Sequence, residues 1–305
     1  MNVVDVPAWA GEDLAELLAL ERLSATQFRN RCGDRNAHDR TYGGQVLAQA
    51  LMAAAHDVPA GRPPTMMQFL FLQGALHREA IQFDVTALQD GKRFSARHVR
   101  GSQSGGRFIF DAQVSFAVPL AAPSHAAPVE PLALLETPEN LPRLGDLPAA
   151  WGTEVTRALG YGLIDKPAVD FRLPMVPDAL DGPNALCLSL PEPRLRFWLK
   201  TSRALPDDPM LHAGVFAYLS DWWLNYASVG GHLQALESEQ GLYVASLNHA
   251  IWWHRPFRAD EWLHFDCRSP ASGAGRGLTV AQVHDRSGQL VASATQECLM
   301  APRGV

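Results

Sequence analysis

Three polar side chains occupy positions where the hydrophobic pattern calls for apolar ones. Asp221 is the only charged residue between Ala213 and Leu224 (AGVFAYLSDWWL), and its helical neighbours are Ala217, Tyr218, Leu224 and Asn225. On the strand-like run from Leu242, strict alternation gives one face as Leu242, Val244, Ser246, Asn248, Ala250 and Trp252, so Ser246 and Asn248 interrupt an apolar row. On the last run, Leu290, Ala292, Ala294, Gln296, Cys298 and Met300 share a face that Gln296 interrupts. Burying such groups is unfavourable unless something is gained. Singly, each has a plain structural reading, a carboxylate capping backbone amides or a strand hydroxyl or amide closing a local hydrogen bond. Together they carry more weight, because all lie in one half of the chain and the aligned positions in the other half are Met52 and Val114.

A carboxylate, a hydroxyl and a carboxamide make a poor metal site, and no metal is expected. No GxSxG elbow exists, and alternation sends His249 to the face opposite Ser246, so a Ser-His-Asp triad is not expected either. The set suits one held water molecule. The aspartate would act as general base or orient the water, while serine and glutamine position it and donate to developing negative charge. That is hydrolysis of an acyl group already activated for attack.

The positioning elements can be read next. Gly43 to His56 (GGQVLAQALMAAAH) contains no Asp, Glu, Lys or Arg, as expected of a helix buried all round. Ala213 to Leu224 reads the same way, and Asp13 to Leu23 reads as a short amphipathic helix. After the first buried helix come strands at Met66 to Leu72, Ile81 to Leu88, Phe94 to Val99 and Phe108 to Val118, with turn signals at Asp90-Gly91 and Gly105-Gly106. Around the second lie Leu195 to Lys200, Leu242 to His254, Trp262 to Cys267, Gly277 to Val283 and Leu290 to Met300. A helix followed by four strands therefore occurs twice. The pattern predicts an α+β fold of two related units. They are residues 1–118, a non-catalytic packing half, and residues 193–305, the half with the polar set. The proline-rich stretch 119–192 would join them, with a little helix at Thr153 to Leu159.

Composition bounds the partners. The 305 residues are 47% hydrophobic and 19% charged, ample for a core. With 26 basic against 32 acidic residues the net charge is −6, which excludes a basic field for nucleic acid. No apolar run is long enough to span a membrane. The first residues lack a basic stretch followed by an apolar one, and Cys32, Cys187, Cys267 and Cys298 are widely spaced, so a cytoplasmic protein with buried thiols is expected.

Several segments together resemble the acyl-CoA thioesterase II family. They are RTYGGQVLAQAL (40–51), DGKRFSARHV (90–99), GRFIFDAQVSF (106–116), HAGVFAYLSDWWL (212–224), ASLNHAIWWHRPF (245–257), SGAGRGL (272–278) and VASATQE (291–297). They run through both halves in family order; the connector is not matched. The resemblance implies a double hot dog fold, in which each of two units wraps an antiparallel sheet around a long central helix. It also implies hydrolysis of acyl-CoA to free acid and CoA without a cofactor, in fatty acid metabolism. Carried over position by position, it assigns the catalytic roles to Asp221, Ser246 and Gln296. It implies a homodimer or homotetramer as well.

Three departures stand out. The family's SLDH reads SLNH here, placing Asn248 beside Ser246. Gln73-Gly74-Ala75 stands where family members tend to carry Arg-Pro-Gly. Trp222 and Trp223 follow the aspartate where smaller residues are usual, and Trp222 is a candidate wall of the acyl channel. Arg276 and Gly277 of the SGAGRG loop, and less strongly Lys92 and Arg93, are candidates for the CoA phosphates; the loop lacks dinucleotide-fingerprint spacing. Two other readings remain: a non-hydrolytic acyl-CoA-binding protein, supported by Asn248, and a hot dog enoyl-CoA hydratase. The latter would need a His/Asp pair, and His212 is nine residues from Asp221, about 13 Å along a helix.

Overall fold

The computed structural model describes residues 3–126, 137–146, 166–173, 192–232 and 242–302. The expected helix at Thr153 to Leu159 lies outside these residues, as does Cys187.

Helix α1 (Leu14–Leu18) starts at Asp13, whose carboxylate accepts from the amides of Ala15 and Glu16, and buries Leu14, Leu17 and Leu18. It is shorter than the periodicity predicts. From Leu20 the chain is extended instead, and β1 (Leu20–Arg22) pairs with β2 (Gln27–Asn30), with Glu21 and Arg29 closing an ion pair across the hairpin. Helix α2 (Gly43–Ala55) is buried nearly all round, as its lack of charge predicts. Its two glutamines are fully enclosed and satisfied. Gln45 accepts from the Asp34 amide at 2.6 Å and donates to the Cys32 carbonyl, while Gln49 donates to the Leu17 carbonyl.

Helix α3 runs Pro209–Ser220, a turn earlier than the apolar run suggests. Asp208 caps it by accepting from the Met210 amide, and Pro209 sits at the first helical position. It ends because Trp223 has φ 61°, which a right-handed helix cannot hold. Asp221 is thus the residue just past the last turn, not an interior one. Helices α2 and α3 cross closely at Gly214, where a Cβ would stand 2.8 Å from the Met52 sulfur. A short helix, α4 (Tyr226–Val229), follows.

The remaining strands are β3 (Pro64–Phe71), β4 (Gln82–Asp90), β5 (Phe94–Gln103), β6 (Arg107–Ala117), β7 (Val169–Arg172), β8 (Arg194–Thr201), β9 (Leu242–Trp253), β10 (Leu263–Gly273), β11 (Arg276–His284) and β12 (Leu290–Pro302). All join one antiparallel sheet in the order β1-β2-β4-β5-β6-β3-β9-β12-β11-β10-β8-β7. The order reads as one pattern from both ends, since β1, β2, β4, β5, β6 and β3 correspond to β7, β8, β10, β11, β12 and β9. The halves meet where β3 pairs with β9, Met66 opposite Trp252 through Leu70 opposite Asn248. One hydrophobic core takes in α1, α2, α3 and residues from both halves of the sheet. This is the double hot dog. The connector contributes an edge strand, β7, that its composition did not announce.

Candidate active site

The three intruders meet at the end of α3. The side-chain amide of Gln296, on β12, donates 2.5 Å to Asp221 Oδ1 and 2.8 Å to Ser246 Oγ. Ser246 Oγ also accepts from Asn225 Nδ2 at 3.1 Å. With both acceptor positions of the hydroxyl engaged, its own proton is left to donate elsewhere. The Gly44 amide, in the first turn of α2, donates to the Asp221 carboxylate. Helix α2 approaches so closely that a Cβ on Gly43 would stand 2.5 Å from Oδ2, and one on Gly44 would stand 2.3 Å from the Tyr218 carbonyl. Paired glycines are therefore required here, and the half expected only to pack supplies a wall of the site. Burial pushes the Asp221 carboxyl up from 3.8 to about 7, against the Gln296 amide, the Gly44 amide and the charge of Lys166.

Asp221 and Ser246 face a cavity of 480 Å³. Its inner wall is largely apolar, including Phe71, Trp222, Trp223, Tyr226, Val229 and Val244. Its exposed rim carries His38, Arg40, Leu72, Gln73, Gly74 and Tyr243, with the His38 and Tyr243 rings 5.7 Å apart.

Strand β9 departs from strict alternation. Glu297 pairs with Asn248 and Cys298 with Ser246, so Leu247 is an extra residue, a bulge. A bulge re-aims every side chain beyond it. His249 therefore turns inward with Ser246, contrary to the alternation argument, and is buried 2.9 Å from Ser220 Oγ. Burial drives its ring down to about 3, so it stays neutral. Asn248 turns away from the carboxylate. Its amide donates to Glu297 Oε2 at 3.0 Å and its oxygen accepts from the Glu297 backbone at 3.3 Å, bracing the bulge.

The family model described as the acyl-CoA thioesterase N-terminal domain matches residues 33–117, and that of the C-terminal domain matches residues 138–300. The chain belongs to the acyl-CoA thioesterase II family. It is 30% identical to acyl-CoA thioesterase 2 of Haemophilus influenzae over 94% of this chain and 96% of that protein. The crystal structure of an acyl-CoA thioesterase II from Mycobacterium marinum is 32% identical, covers 96% of this chain and 99% of its own, and superposes with a TM-score of 0.73. A hot dog protein from Alicyclobacillus acidocaldarius, 16% identical, covers 94% of this chain and 97% of its own with a TM-score of 0.71, and shares the fold alone.

For a thioesterase II chain, the placement of the other candidates differs from the sequence expectation. Arg276 and Gly277 do not line the cavity. Arg276 is largely exposed and paired with Glu297 at 3.4 Å; Gly277 serves close packing, since a Cβ there would stand 2.7 Å from the Ser228 side chain. Lys92 and Arg93 sit in the β4–β5 turn and also lie off the cavity. Trp222 does line it, edge-on to Tyr42 at 5.7 Å, and Trp223 stacks on Phe171 of β7. Two site residues escaped the sequence reading. Asn225 stands out there only as a neighbour of Asp221, and Lys166 lies in the unpatterned connector, where a lone lysine gives no signal. The described residues contain no cluster of three His, Cys, Asp or Glu able to hold a metal.

Proposed function

We infer that the chain hydrolyses acyl-CoA to a free carboxylic acid and CoA, with Asp221 as general base for a water held among Asp221, Ser246 and Gln296. The observation that carries this reading is the continuous set of hydrogen bonds from Asp221 through the buried Gln296 to Ser246, with Asp221 and Ser246 lining the cavity. The water oxygen attacks the thioester carbonyl carbon and its proton passes to Asp221. The carbonyl oxygen becomes an oxyanion, toward which the free Ser246 proton is a suitable donor. Collapse then breaks the C–S bond, and the thiolate leaves and takes a proton. No cofactor is needed for this step, because the thioester is already activated.

The acyl chain would lie among Trp222, Trp223, Tyr226 and Val229, and the CoA arm would leave over the rim. The two tryptophans crowd the inner wall, which favours a limited acyl length. Release of free thiol from acyl-CoAs of graded length, read with a thiol reagent, tests both points. Tight binding without release at any length would overturn the hydrolase reading. The binding-protein alternative has lost its residue, since Asn248 faces Glu297. The hydratase reading fares no better, since His212 Nδ1 accepts from the Ala259 amide in the first turns of α3, and α3 ends before Asp221.

Arg40 replaces Arg276 as the candidate phosphate contact. It is exposed on the rim, lies along Gly74 and has no carboxylate partner among the described residues. Arg40→Ala is expected to raise KM for acyl-CoA roughly tenfold, the scale of a charge-assisted hydrogen bond, and to leave kcat within about twofold. Truncated pantetheine thioesters, which lack the phosphates of the nucleotide end, should not distinguish the two enzymes.

We propose 1–118 and 193–305 as the two units with 119–192 as the link, and, separately, a role in fatty acid metabolism. A cytoplasmic location fits the three described cysteines, all buried and unbridged. No described helix is long and apolar enough to cross a membrane. A homodimer or homotetramer is proposed on the outward-facing Leu278 and Val280 of β11 and Leu70 of β3; light scattering of the purified chain reads the mass directly, and a monomer would exclude it.

A further inference from the structure

Lys166 is a basic residue in the cavity wall, three residues before strand β7. Its side chain is 6% exposed, and the carboxylate it pairs with, Asp34, is 7% exposed. The ammonium donates to Asp34 Oδ2 and, at 3.1 Å, to the Tyr218 hydroxyl, which itself donates 2.9 Å to the same carboxylate oxygen. It lies 4.2 Å from the centre of the Tyr42 ring and 5.6 Å from that of Trp222.

A buried ion pair is a weak way to stabilise a fold, because apolar side chains of similar volume commonly do as well or better. The arrangement is also asymmetric. Lys166 lines the cavity whereas Asp34 does not, and the Asp34 backbone amide is held by Gln45 of α2. The pair therefore presents its positive end to the cavity that Asp221 faces. We propose that Lys166 is a positioning residue for hydrolysis, which uses the positive end of the buried Lys166–Asp34 pair to keep the Asp221 carboxylate ionised and ready to accept a proton.

The groups around Asp221 are consistent with that role. From α2 and the turn before it come the Gly44 amide and the Tyr42 ring; from α3, Tyr218; from β12, Gln296; from β9, Ser246 and the neutral His249. Burial holds both tyrosine hydroxyls well above their usual range, so neither adds charge. Arg40 and His38 stand at the exposed rim. Burial lowers the Lys166 ammonium from its usual range, and Asp34 and Asp221 oppose that shift; in its protonated form Lys166 is the charge that opposes the burial of Asp221 from within the wall, and its interaction with Asp221 favours the anion.

The inference rests on Asp221 being the base, and its test separates the two. kcat/KM is measured against pH for the wild type, Lys166→Met, Lys166→Arg and Asp221→Asn. Wild-type activity should rise through an acidic limb near pH 7. In Lys166→Met the limb should move up by about one pH unit, so that activity falls about tenfold near pH 6 and recovers toward wild type above pH 9. Lys166→Arg keeps the charge and should keep the limb. A uniform loss at every pH with the limb unmoved means a purely structural lysine and overturns the inference. So does a limb displaced equally in both variants. Should Lys166→Met fail to fold because Asp34 is left unpaired, Lys166→Met/Asp34→Asn removes both charges; an upward shift is again expected, and an unmoved limb again overturns it. Retained activity in Asp221→Asn would instead sink the assignment of the base.

Discussion

Replacing Asp221 by asparagine should lower kcat by at least about a hundredfold while KM for acyl-CoA changes little. The substitution is close to isosteric. An asparagine oxygen in the place of Oδ1 can still accept from Gln296, and the apolar walls of the cavity are untouched. What disappears is the ability to take a proton from water, and a positioned base is worth roughly a hundredfold to ten-thousandfold. A carboxyl at about 7 suits a general base, since it is ionised in a large fraction of molecules near neutral pH yet basic enough to accept a proton in the transition state. Thiol release under saturating acyl-CoA measures the effect, and near-wild-type turnover in the variant would falsify the assignment. Ser246 and Gln296 should show smaller deficits, because each positions water or stabilises charge without being its proton acceptor.

Much of this site is legible in the amino-acid sequence, and the reason is physical. A buried helix and two half-buried strands set a periodic expectation that a carboxylate, a hydroxyl or an amide visibly breaks. Asp221, Ser246 and Gln296 each break it, and all three meet. The same logic fails where the backbone leaves its period. The bulge at Leu247 sends Asn248 and His249 to faces opposite those that alternation gives them, and nothing in SLNH marks the extra residue. The end of α3 is misplaced by a turn because Trp222 to Leu224 are as apolar as the helix before them; the left-handed Trp223 is invisible in composition. That Arg276 lies off the cavity with Glu297 beside it could not be read from the SGAGRG loop. Lys166 and β7 come from a segment without periodicity, so their place is set entirely by tertiary packing. The first half's contribution could have been suspected from Gly43-Gly44, since paired glycines opening a buried helix signal a close approach.

The same Asp221→Asn substitution should stabilise the fold at alkaline pH. In the unfolded chain the carboxyl titrates near 3.8, and in the folded chain burial holds it at about 7. Below 3.8 it is protonated in both states, and its titration contributes no difference. Between 3.8 and about 7 the folded state retains a proton that the unfolded state has released, so stability falls as pH rises through this window. Above about 7 the full penalty of the buried anion is present, on the order of 4 kcal/mol for that interval, and less where water in the cavity screens the exposed edge. Asparagine never ionises, and so avoids the penalty. Denaturant unfolding should therefore find Asp221→Asn more stable than wild type at pH 8.5 by up to about that amount, with the gap shrinking by more than half at pH 5. A gap that does not change with pH would show that the carboxyl is not held high in the fold. A base that must be anionic in an apolar cavity opposes the packing of α3 against α2, so a variant that is both inactive and more stable would mark Asp221 as a residue retained for chemistry against the interest of the fold.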